Sequence, residues 1–314
     1  MTVSLHPDRF HDLPIRDFTP DDGTRTPPAA GSVAWRLALD YDAKHDFAQL
    51  WQTFLDTVDP AGVRALVIGP WWRGDYVSVA ATVAAITTEA ERLPALEALF
   101  LGDVTYDECE ISWMEMGDVT PLLTAFPGLT ELTVRGGTDL SLQPVRHDRL
   151  AALRFEAGGL PARVVRAVAG SELPALERLT LWLGVDEYGG DATIDDLGPF
   201  LDGARLPSLR HLGLANSEFQ DEIASAVAHA PVVARLESLD LSMGVLSDDG
   251  AAALLEGQPL THLRALDLHH HYVGEEMQQR LTEALPGVAL DLSEAEDPDE
   301  DDEDDGDRYV AVAE

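Results

Sequence analysis

The chain has 314 residues, 45% of them hydrophobic, with 57 acidic residues against 21 lysines and arginines and a net charge of −36. That length and apolar content allow a sizeable core, while so negative a charge repels nucleic acid and anionic lipid at close range. Nucleic-acid binding is therefore disfavoured, and the single cysteine, Cys109, excludes a disulfide within the chain and suits a reducing compartment.

The first 18 residues contain no apolar run long enough for a signal peptide. The longest weakly apolar stretch, 77–86, is about half a membrane span. The expectation is a cytoplasmic protein with no membrane contact. Residues 16–31, RDFTPDDGTRTPPAAG, are rich in turn formers and read as irregular. SVAWRLALDY (32–41) alternates like a strand, and DFAQLWQTFLDTV (46–58) reads as an amphipathic helix. Residues 1–60 are accordingly assigned as an N-terminal segment and cap, with Trp71 and Trp72 closing the gap between the cap and the rest of the chain.

From residue 61 the spacing apolar-x-x-apolar-x-apolar recurs: Val63-Leu66-Ile68, Leu96-Leu99-Leu101, Leu129-Leu132-Val134, Leu150-Leu153-Phe155 and Leu176-Leu179-Leu181. It continues with Leu209-Leu212-Leu214, Leu236-Leu239-Leu241, Leu263-Leu266-Leu268 and a degraded copy at Leu290 and Leu292. Successive middle residues stand 21 to 33 apart. Each L-x-L is a short strand with alternate side chains inward. The stretches 246–257 and 273–285 carry apolar residues three and four apart, so the return legs are helical. A strand and a helix cannot bury an apolar face alone, so the units must stack. The predicted fold is an α/β leucine-rich-repeat solenoid over 61–293, about nine repeats, with parallel strands on the concave face and helices on the convex face. Insertions at 103–118 and 184–194 lengthen two repeats and are candidate binding loops.

LESLDLSMGVLSDDGAAALLEG (236–257) resembles the ribonuclease-inhibitor-like class of leucine-rich repeats. From about residue 30 to its last residues, RYVAVAE, the chain is similar to a bacterial family of such proteins. The resemblance implies a fold and no activity; such proteins resemble accessory members of small biosynthetic operons. One departure stands out. The asparagine that comes after L-x-L in the class is replaced by Trp71, Val104, Gly137, Gly158, Gly184, Ser217, Gly244 and His271. Those turns are expected to be looser, or satisfied by water.

Strand alternation assigns the concave face. Its central column reads Val67, Phe100, Thr133, Arg154, Thr180, Gly213, Asp240, Asp267 and Asp291, apolar early and acidic late. Beside it stand Arg135, Glu156, Trp182 and His269 on one flank and Arg178 and His211 on the other. Arginines around a tryptophan read as exposed have the composition of a protein-interface centre. The expected partner contacts are therefore Arg135, Arg154, Glu156, Arg178, Trp182, His211, Asp240, Asp267 and His269. In DLHHHYV (267–273), His269 shares a face with Asp267 and Asp240 whereas His270 points away or into the turn, so at most two of the three histidines could join the three or four ligands zinc needs.

Phosphate-loop, H-E-x-x-H and G-x-S-x-G signatures are absent from the sequence. The only lysine, Lys44, falls in the cap, and Cys109 lies among carboxylates that disfavour its thiolate. The reading is a monomeric, cofactor-free and metal-free protein–protein interaction scaffold that is not an enzyme. The alternative is an accessory enzyme or metal-binding protein using Asp240, Asp267 and His269. Residues 294–307 hold eleven carboxylates in fourteen positions and read as a disordered acidic tail, a secondary contact for a basic partner. The apolar RYVAVAE (308–314) at its end is expected to add as a strand to a sheet edge, in cis or on a partner.

Overall fold

The leucine trios become strands of one sheet. A computed structural model describes residues 3–20, 27–297 and 307–314. Among these, twelve strands lie side by side in chain order. The first six are β1 (Arg9–Phe10), β2 (Leu13–Asp17), β3 (Ala34–Leu37), β4 (Ala65–Ile68), β5 (Ala98–Leu101) and β6 (Glu131–Arg135). The rest are β7 (Ala152–Glu156), β8 (Arg178–Gly184), β9 (His211–Ser217), β10 (Ser238–Asp240), β11 (Ala265–Asp267) and β12 (Ala289–Asp291). Only β1 and β2 pair antiparallel; every later neighbour is parallel.

The register obeys the leucine spacing. Leu66, Leu99, Leu132, Leu153, Leu179, Leu212, Leu239, Leu266 and Leu290 sit opposite one another from β4 to β12. Whatever the length of the excursion between them, the strands return to the same level, because a slip of one residue would turn every leucine out of the core. These side chains form one continuous apolar layer with the helices behind the sheet.

The strand and the helix expected before the first repeat are present, as β3 and Phe47–Thr57. Phe47–Thr57 is a helix whose Phe47, Leu50, Trp51, Phe54 and Leu55 share its buried side. Asp46 and Gln49 close its first turn as a capping box, at 2.9 and 3.0 Å. Phe18, Trp35 and Phe54 pack edge to face at the end of the stack. Trp71 and Trp72 are buried against each other. The hairpin β1–β2, in a segment without a strand pattern of its own, extends the sheet beyond β3, so β3 is not its edge. Residues 21–26, within the stretch read as irregular, lie outside the described residues, as do 298–306 of the acidic stretch.

The turns after β9, β10 and β11 are bonded directly to the next repeat. The backbone N–H groups of Asn216, Met243 and His270 donate to the carbonyls of Ser242, His269 and Ser293 in the next repeat, at 2.8, 2.8 and 3.0 Å. At the asparagine position of the last turn, His271 is fully buried. Its Nδ1 accepts from the Val273 N–H at 3.0 Å, and its Nε2 lies 3.2 Å from the Leu292 carbonyl. A ring with one acceptor and one donor replaces a carboxamide here, and burial holds its pKa below the usual histidine value.

Candidate functional site

The early concave face is filled by the chain itself. Phe10 lies among Ala34, Ala65, Val67, Ala98 and Phe100, with Leu13 and Ile15 packed against them. His11 fixes this arm from the polar side, 2.8 Å from the Glu131 carboxylate and 3.4 Å from that of Glu97. Farther on, His6 meets the buried Asp103 at 3.1 Å, and the Tyr106 N–H donates to the Val3 carbonyl at 2.7 Å. The apolar zone is thus covered, as burying that much apolar surface favours.

The middle zone differs from expectation at three residues. Arg135, Glu156 and Trp182 are 6%, 4% and 7% exposed, so Trp182 is not an exposed anchor, and Arg135 and Glu156 are turned to each other. The Arg135 guanidinium donates to Glu156 at 2.6 Å and to the Val104 carbonyl at 2.9 Å, and lies over the Phe100 ring. Arg154 bonds the other oxygen of Glu156 and covers the Trp182 ring, 5.1 Å from its centroid. A carboxylate held by two guanidiniums satisfies charges that would otherwise be costly to bury. Burial alone would raise the Glu156 pKa, but the two arginines outweigh it and hold it below the usual value.

Beyond this network the face opens. Arg178 is exposed, while Arg154, His211, Asp240, Asp267 and His269 are half-buried. The His211 ring lies 2.7 Å from the Ser238 hydroxyl. Burial first, with a smaller contribution from Arg178, holds its pKa down. A repeated local device aims the acidic column: the Asp240 carboxylate accepts from the Ser242 N–H and hydroxyl, and Asp291 does the same with Ser293. Asp267 accepts from the N–H of His269 at 3.0 Å and meets its ring at 2.8 Å. That bond raises the His269 pKa, as do the charges of Asp267, Asp240 and Glu294, against partial burial. Asp267, His269 and Asp291 each bring one ligand atom within 4.8 Å of the others. Asp240, expected in such a set, stands outside it, and His269 Nδ1 is already engaged by Asp267.

A second feature lies beside the concave face, along the turns at the ends of the strands. Residues 308–314 run across them with a bend at Ala311 and without joining the sheet, so the expected strand addition is not made in cis. Val310, Ala311 and Val312 are buried there. The Ala311 N–H donates to the Met243 carbonyl at 2.8 Å. Asn216 accepts from the Val312 N–H at 2.9 Å and donates to its carbonyl at 2.6 Å. Tyr272 and His270 hold the backbone of Tyr309 at one end. At the other, Ser112 and Tyr188, one from each insertion, hold Ala313 and Glu314. The Glu314 carboxylate pushes the Tyr188 phenol up to about 12. Sequence reasoning named 308–314 and the two insertions but passed over Asn216, Met243 and Tyr272, yet one signal was present: Asn216 is the only asparagine in the chain.

The repeat at 236–255 matches a family model described as leucine-rich repeat. A Bacteroides fragilis protein of known crystal structure is 31% identical, with a TM-score of 0.78 over 85% of this chain and 76% of that one. The chain belongs to a bacterial leucine-rich-repeat family. No curated protein matches it. An internalin (inlF) from Listeria monocytogenes covers 83% of this chain and 67% of its own length at 14% identity and a TM-score of 0.42. The leucine-rich-repeat ectodomain of the Arabidopsis receptor kinase HAESA, solved with a peptide hormone, covers 81% and 40% at 14% identity and 0.33. At those values neither bears on function. Among the described residues of this leucine-rich-repeat chain, no helix is long and apolar enough to cross a membrane.

Proposed function

We propose that the protein is a non-enzymatic interaction scaffold that receives a protein partner on the open part of its concave face, β7 to β12. One observation carries the reading. In-register strands present Arg154 and Arg178 at one end of this stretch and Asp240, Asp267, His269 and Asp291 at the other. Arg135, Glu156 and Trp182 support that surface from beneath. Solenoids of this kind use their concave face as an extended binding surface. The opposed charges fit a partner with an acidic patch beside a basic one, whose orientation they would fix. The acidic residues 294–307 add a salt-sensitive attraction for the basic patch. The protein works in the cytoplasm, as a monomer, without cofactor or metal.

Capture from a lysate of the source cells tests this, using wild type, Arg178→Glu, Asp267→Arg and a convex-side control, Gln279→Ala. The expected result is a protein retained by wild type and control and lost by both concave variants. Retention by all four proteins, or by none, would overturn the assignment.

A further inference from the structure

The segment 308–314 is held as a ligand is held. Most of its recognised groups are main-chain: Tyr309, Ala311, Val312 and Ala313 are each bonded through backbone N–H or carbonyl groups. Val310 and Val312 are buried, at 8% and 2% exposure. The receiving residues come from separate repeats, and Asn216, Met243 and His270 occupy equivalent left-handed positions in successive turns. Gly158 completes the floor: a Cβ there would collide with the Ala313 carbonyl, so the segment approaches bare backbone.

We infer that this line of turns is a peptide-binding site, separate from the concave face, and that its ligand is a short peptide of apolar–small–apolar pattern. Asn216 reads the main chain, with a donor and an acceptor facing one residue. The main-chain bonds supply affinity and the three buried side chains, Val310, Ala311 and Val312, supply selectivity. In the intact chain the site is filled in cis by Val310-Ala311-Val312. The acidic stretch before it lies largely outside the described residues. Its described ends are both anchored, Glu296 through its N–H to the His271 carbonyl and Arg308 to Asp221. A short tether keeps the local ligand concentration near ~1 mM, which weakens a competing peptide in trans by a factor on the order of 10² to 10⁴.

The test starts from the full chain. A protease site is placed within 298–306, the folded protein is purified and cut, and the cut and uncut forms are titrated with a fluorescent peptide of residues 307–314, read by anisotropy. Expected is saturable binding to the cut protein and binding at least about a hundredfold weaker to the uncut one. The same peptide carrying Val312→Asp should bind neither. Retention of the cut segment through gel filtration, succeeded by its exchange with labelled peptide, would support the site equally. Three results would overturn it: no saturable binding to a cut protein that has released its segment and keeps its melt, equal binding by the V312D peptide, or unfolding on cutting. The last would make the segment part of the core and not a ligand.

Discussion

The carboxamide of Asn216 grips both backbone groups of Val312, 96 residues away in the chain. A single buried side chain thus joins the ninth strand of the sheet to the last residues of the sequence. Replacing it by glycine keeps the left-handed turn, at φ 56°, without steric cost and removes the grip, together with a longer bond, 3.3 Å, to the Ala157 carbonyl. Asn216→Gly should release 309–313. Hydrogen exchange at Ala311 and Val312 measures this, and protection as strong as in wild type would refute the role of the carboxamide. Leaving those backbone groups unpaired should cost ~1–3 kcal/mol if the segment stays down.

Glu156 is the hinge of the buried charge network. Glu156→Gln leaves the Arg135 guanidinium buried beside a neutral group, and breaking a pair of that kind costs about 3–5 kcal/mol. The pH dependence has a defined sign. Because the folded pKa lies below the unfolded one, the stabilisation is complete above the usual glutamate range and is lost as pH falls through the folded value. Urea unfolding of wild type and variant should therefore differ most near neutrality and converge in acid. A gap independent of pH would contradict the assignment.

His269 carries the opposite sign. Its folded pKa is raised, chiefly by the bond to Asp267. It therefore adds stability below the usual histidine range and loses it as pH rises through the folded value. Asp267→Asn should lower the pKa of His269, monitored by NMR titration of its ring protons. An unchanged midpoint would mean that the other acids set it.

Leu179 tests the solenoid register directly. It is fully buried and faces Leu153 on one side and Leu212 on the other. Leu179→Ala should lose ~2–5 kcal/mol, because close-packed neighbours on adjacent strands cannot collapse into the space. Chemical denaturation measures it, and a loss below about half a kcal/mol would place this side chain outside the core.

Fold and register were legible because a repeat writes its own geometry: the same side must be apolar in every copy, so the spacing of Leu66, Leu99 and their successors fixed strand level and facing. The alternation also placed Arg154, Arg178, Asp240, Asp267 and His269 on one face. Alternation, however, says which way a side chain points and nothing of what lies over it. Phe10 on Phe100, His11 beside Glu131 and Val312 under Asn216 are contacts between residues at least ninety positions apart. Such contacts are decided by where two non-repeating ends come to rest. Arg135, Glu156 and Trp182 look like an interface in the sequence because arginine and tryptophan serve burial and binding alike. Only the tertiary structure, by giving Glu156 two guanidiniums and Trp182 a cation above its ring, decided between the two. The sequence by itself determined the scaffold; the closure of its surfaces by its own two ends was decided in three dimensions, where apolar area and unpaired backbone groups find their partners.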